Sequence, residues 1–263
     1  EGRFLFGIGP GGLRSDQEMM SNLDRDRNAM FVESINQILA IWDGKPPYNL
    51  EGKFWNLSTA RTMIPEVGQG VMLKPYQKPH PPIVVTAVVP HSKGLVEAAK
   101  RGWQPISANF LQPGWAKTHW PKQEGCRLAG LPADRAHWRV CKSIFVADDD
   151  ATAQRYAKDV KGAYGFYYWN LLTKRRGHGN VDIFKQDLSM PDSAVTVEYL
   201  LDSLVIAGTV DSVVDQILAF RETVGDFGTL LYAGHDWADV KLARRSMELM
   251  ANKVMPAVNK AIG

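Results

Sequence analysis

The chain has 263 residues, 45% hydrophobic and 22% charged, with 31 basic against 28 acidic side chains and a net charge of +3. That is enough apolar material for a full core, and too small a charge excess to mark a nucleic-acid binder. No apolar run nears the roughly 20 residues of a membrane span, no secretory leader pattern opens the chain, and Cys126 and Cys141 lack metal-ligand spacing, so a reduced cytoplasmic setting is expected.

In chain order, residues 4–8 read as a buried strand running into the turn Gly9-Pro10-Gly11-Gly12. Apolar residues near helical spacing (Ala29, Val32, Ile35, Ile38, Leu39, Trp42) predict a helix over 24–42. Residues 46–77 form a turn-rich excursion with a short hairpin around Phe54 and Trp55. Prolines 75, 79, 81 and 82 forbid helix or central strand, and the β-branched run 83–89 then predicts a strand buried on both faces. Pro90-His91-Ser92 leads into a helix over 93–101, ended by Gly102. A strand over 104–109, a helix near 114–129 and a strand over 139–147 follow, then a helix capped by Asp150. Residues 164–203 read as a long insertion with an aromatic cluster (Tyr164, Phe166, Tyr167, Tyr168, Trp169). After it, 205–209 leads into a helix over 210–221 capped by Thr209. The strand counted as the fifth spans 227–233, its loop is Gly234-His235-Asp236-Trp237, and a last helix runs over 238–258. Strands alternating with helices argue for a parallel sheet. Five such units leave a doubly wound sheet and a barrel equally open.

Three turns attract attention as sites. The glycine turn at 9–12 lets backbone approach a ligand, but Leu13 and Arg14 break the dinucleotide fingerprint, and a plain structural turn explains it equally well. Pro90-His91-Ser92 is stronger. Ser92 can cap the helix or offer its hydroxyl to a phosphate, beside the outward N–H groups of Lys93 and Gly94. His235 beside Asp236 could act as an acid/base pair, with Trp237 walling an apolar or flavin pocket; a capping Asp and packed rings are the plain alternative. The other histidines (His80, His119, His137, His178) read as structural or solvated. No histidine pair or cluster speaks for a metal, and no hydrolase elbow or nucleoside-triphosphate loop is present.

Several stretches, in order, resemble the bacterial-luciferase-like flavin monooxygenases, the group that includes limonene-monooxygenase-like proteins. They are Gly2-Arg3-Phe4 with Gly7-Ile8-Gly9-Pro10-Gly11, Pro75-Tyr76-Gln77 with Pro79-His80-Pro81-Pro82-Ile83, Gly208-Thr209-Val210-Asp211-Ser212-Val213, and the final strand from Gly228 to Trp237. The resemblance implies a (β/α)8 TIM-type barrel, a single domain over 1–263 to which this chain supplies strands 4 to 8, with 164–203 inserted near the active-site mouth. It implies reduced FMN delivered by a separate flavin reductase, reacting with O₂ to oxygenate a small hydrophobic substrate. Coenzyme F420 is the alternative cofactor, since sister families hold it in the same pocket, and a non-catalytic flavin-binding relative is the alternative outside enzymes. Carried over by position, Gly9, Pro10, Gly11, Val88, Pro90, His91 and Ser92 would hold the cofactor. Asn109 and Trp237 would line the substrate pocket, and His235 would be a catalytic residue. A homodimer is expected; a nucleic-acid or membrane partner is not. The family begins with three further βα units, so an N-terminal third of roughly 90–100 residues is expected to be missing, and with it the family's main catalytic histidine.

Overall fold

The computed structural model describes residues 2–263 except 124, 126–129, 132, 236 and 237. The chain divides into two compact units, residues 1–85 and 86–263.

The first unit opens with β1 (Phe6–Ile8), which pairs in parallel with residues 83–85 of β4 (Ile83–Ala87), Phe6 opposite Ile83 and Ile8 opposite Val85. Between them a short helix α1 (Arg14–Met19), not expected from the sequence, precedes α2 (Arg27–Asp43). Helix α2 starts later than expected because Asp26 caps it, its carboxylate accepting the Ala29 N–H. The hairpin around Phe54 and Trp55 is present as the antiparallel pair β2 (Asn49–Leu50) and β3 (Leu57–Ser58). Glu33 of α2 fastens its tip by accepting the N–H groups of Lys53, Phe54 and Trp55 at 2.8, 2.9 and 2.9 Å.

In the second unit, helix α3 (Lys93–Lys100) follows β4 and ends where Gly102 takes a φ of +72°, as its glycine predicts. Strand β5 (Gln104–Ser107) is followed by a short helix α4 (Pro113–Ala116) and a 3₁₀ turn at Trp120–Gln123 in place of the single helix expected over 114–129; part of that span lies outside the described residues. Strand β6 (Arg139–Val146) is the hub. It pairs in parallel with β5 through Arg139 and Val140, with β7 (Val205–Gly208) through Ser143–Val146, and with β8 (Thr229–Ala233) through Arg139–Ser143. Within the second unit β5, β6, β7 and β8 pair in parallel, and 205–208 is a strand where the sequence predicts only a lead-in to a helix. The fold is α/β with a parallel sheet.

Alternation along β6 separates two apolar cores. Val140, Ile144 and Val146 face a core with Trp138, Val213, Ile217 and Phe220. Phe145 faces a second one with Tyr164, Tyr168, Leu172 and Leu200. Four expectations are corrected here. Helix α5 (Asp150–Ala157) is capped by Asp149, whose carboxylate accepts the Thr152 N–H, and Asp150 is its first residue. Residues 163–177 form helix α6 (Ala163–Gly177), with Tyr164, Tyr168 and Leu172 four residues apart on its buried face; the basic run Lys174-Arg175-Arg176 is its last turn. Helix α7 (Val197–Leu204) then leads to β7. Thr209 precedes α8 (Val210–Val224) but its side chain makes no cap bond. The last helical run is longer than predicted: α9 (Val240–Leu249), a π turn at Met250–Val254, and α10 (Met255–Ile262).

Candidate active site

A polar cluster lies inside an otherwise aromatic core, built from Ser143 in the middle of β6, Asn109 just past β5 and His235 just past β8. Ser143 on β6 is fully buried, and its Oγ lies 2.6 Å from His235 Nε2, 2.9 Å from Asn109 Nδ2 and 2.9 Å from the Tyr168 hydroxyl. Tyr167 donates its hydroxyl to Asn109 Oδ1 at 3.0 Å. One arrangement of hydrogens uses every group: Tyr168 and Asn109 donate to Ser143 Oγ, which donates to His235 Nε2, leaving the imidazole proton on Nδ1. Helix α6 boxes the ring, with Tyr167 stacked on it at 3.9 Å and Tyr164 edge-on at 4.9 Å. Burial lowers the His235 pKa to about 4, so the ring is neutral at ordinary pH and offers Nδ1–H as a donor. The same burial pushes the Tyr164 and Tyr168 hydroxyls far above their usual range, which keeps both as neutral donors. His235 also walls a cavity of about 170 Å³ lined by Phe145, Tyr156, Tyr164, Tyr232 and Met247.

A second locus lies after β4. Val88 is exposed, Pro90 half-buried, and His91 takes a φ of +49°, rare for a residue with a side chain. Ser92 precedes α3 but its hydroxyl makes no cap bond, contrary to the capping role the sequence allowed, so the group is left for another acceptor. In the first unit, Gly9, Pro10 and Gly11 follow β1 and are exposed. Gly11 has a φ of +72°, and no atom lies within 4 Å of where a Cβ on Gly9 or Gly11 would sit.

Of the expected site residues, Asn109 and His235 are brought together, and Val88, Pro90, His91 and Ser92 form one loop. Asp236 and Trp237 lie outside the described residues. The sequence places Tyr167 and Tyr168 in an aromatic cluster near the expected active-site mouth without pairing them to His235 or Asn109, and it does not single out Ser143. Two adjacent polar residues, Lys142 and Ser143, among the otherwise apolar residues 140–146, and a tyrosine repeat at helical spacing, were the available signals. Among the described residues no group of His, Cys, Asp and Glu is arranged to hold a metal, and no helix is long and apolar enough to cross a membrane.

A model of the luciferase-like monooxygenase family matches residues 1–226. The chain is 28% identical to 3,6-diketocamphane 1,6-monooxygenase of Pseudomonas putida, covering 98% of this chain and 72% of that protein. It is 27% identical to limonene 1,2-monooxygenase of Rhodococcus erythropolis, covering 100% of this chain and 62% of that protein. Among solved structures it is similar to the oxygenating constituent of 3,6-diketocamphane monooxygenase from Pseudomonas putida, a type II Baeyer-Villiger monooxygenase in complex with FMN. There the TM-score is 0.82 at 28% identity, with 97% of this chain and 71% of that one covered. The expected lack of an N-terminal third, and the numbering of the strands as 4 to 8, are not borne out by these matches. With a family match over most of its length, the chain belongs to the luciferase-like monooxygenases, a family of oxidoreductase enzymes.

Proposed function

We propose that the chain is a flavin-dependent monooxygenase that works with reduced FMN and O₂ on a small apolar substrate, the flavin arriving from a separate reductase, on a (β/α)8 barrel. The observation that carries this reading is the likeness to an FMN-bound monooxygenase at a TM-score of 0.82. The residues present suit the cofactor's phosphate. Ser92 has an uncommitted hydroxyl at the start of α3, where the first backbone N–H groups of the helix point outward and favour an anion.

Bound reduced FMN supplies the electrons and the site of O₂ activation. The chain's own residues bind, orient and keep water away. His235, neutral and held by Ser143, serves as a hydrogen-bond donor through Nδ1 toward a substrate oxygen, not as a base. The aromatic cavity beside it would hold an apolar molecule. Residues 164–203 act as cover for that site, since Tyr164 and Tyr167 of α6 wall the His235 ring.

The test is oxygen uptake with FMN, NADH and a flavin reductase, followed by ¹⁸O₂ labelling of a panel of cyclic ketones and terpenes. Transfer of one labelled oxygen atom to an organic product is expected. Binding of F420 in preference to FMN would overturn the reading, and so would uptake that never labels a product.

A further inference from the structure

The loop after β4 is not held by its own sequence. Its backbone is gripped from the turn that follows α4, by two successive residues. The His91 N–H donates to Thr118 Oγ1 at 2.9 Å, and the Thr118 hydroxyl in turn donates to the Trp115 carbonyl at 2.7 Å. Two positions before His91, the Val89 carbonyl receives a bond from His119 Nε2 at 2.9 Å. A carbonyl can only accept, so Nε2 carries the proton and Nδ1 is the acceptor. Ser107 Oγ supplies the donor for Nδ1 at 2.8 Å, and Trp138 Nε1 donates in turn to Ser107 Oγ at 2.9 Å. His119 is fully buried, and burial lowers its pKa, which keeps the ring in this neutral form. The chain Trp138–Ser107–His119–Val89 therefore ties β5 and the entry of β6 to the loop.

This anchorage falls where the loop is strained. His91 sits in the left-handed region at a φ of +49°, a conformation that persists only when its surroundings hold it. The strain precedes Ser92 and the first turn of α3, the group of donors that would meet a phosphate.

We propose that Thr118 and His119 are positioning residues for flavin binding: they hold the Val89–His91 backbone so that Ser92 and the start of α3 face the FMN phosphate. This rests on the phosphate reading of Ser92. A ligand without the phosphate gains nothing from the grip, so the two flavins separate this role from a structural one.

The experiment measures dissociation constants for FMN and for riboflavin by quenching of flavin fluorescence, in the wild type and in Ser92→Ala, Thr118→Val, His119→Leu and His119→Gln. The wild type is expected to prefer FMN. Thr118→Val and His119→Leu should weaken FMN roughly five- to tenfold and leave riboflavin unchanged. His119→Gln, whose side-chain amide can still donate to Val89, should recover most of the loss. In the flavin-free protein, amide exchange at His91 should quicken in Thr118→Val, which also serves if His119→Leu folds poorly. Equal losses for both flavins, or no loss in either variant while Ser92→Ala erodes the preference, would overturn the positioning role alone. A wild type that binds riboflavin as tightly as FMN would instead overturn the phosphate reading beneath it.

Discussion

Lys142 sits on the wrong side of its strand for an amine. It is 3% exposed, points into the core of Val140, Ile144 and Phe220, and its Nζ has no hydrogen-bond partner among the described residues. Burial, with help from Lys158, lowers its pKa to about 7. Because the unfolded chain holds that proton more tightly, the penalty is full below pH 7 and fades as pH rises toward 10.5. Lys142→Met should therefore stabilise the protein by about 1–3 kcal/mol near pH 6, with a shrinking advantage at higher pH, read from urea midpoints. His235 works in the same sense. Its folded pKa is depressed, so its contribution is present above the ordinary histidine value of 6.5 and lost as pH falls toward 4. His119 adds to this, its pKa also lowered by burial. His235→Gln should flatten the acid loss of thermal stability between pH 6.5 and 4, and an unchanged profile would place the loss elsewhere. The Ser143 cluster was half legible. Asn109 and His235 sit just past strand ends, where chemistry is sought, but Ser143 lies inside a strand beside Lys142, and its partners are 25, 34 and 92 residues away.

At the scale of elements, strands and capped helices were readable because apolar runs and caps are local. Helix α6 was not, because tyrosines and Gly165 are poor helix formers and its stability comes from burial of Tyr164, Tyr168 and Leu172. The β2–β3 hairpin was legible in place but not in cause. Its tip is held by the Glu33 carboxylate on a helix twenty residues upstream, and a Cβ on Gly52 would collide with that carboxylate. Burial raises the Glu33 pKa, but the three N–H bonds outweigh it and the net shift is downward. Glu33→Ala should raise amide exchange at residues 53–55 and leave α3 and β6 protection untouched. Unchanged exchange at the tip would show that the turn holds without it.

At the scale of the molecule, both apolar cores named above belong to residues 86–263, while residues 1–85 carry many exposed apolar side chains, with Leu73 at 91% and Met19 at 78% exposure. Apolar composition alone gave no means of telling these surface residues from core. Flavin binding to the folded state should be visible globally: FMN at a hundred times its dissociation constant adds about 2.7 kcal/mol, a rise in Tm of roughly 5–10 °C. A Tm that ignores FMN would count against a flavin site. The π turn at Met250–Val254 shifts the phase of the last helical run. Leu249 and Val254 are both buried and lie five residues apart, where a regular helix would present Lys253 instead. The helical run thus carries one residue more than its core contacts require. Removing Ala251 should close the π turn into ordinary helix, bring Val254 onto the face of Leu249 and leave Tm and flavin affinity nearly unchanged. In this segment the chain has slack, and a change of length that would break β6 would here be absorbed.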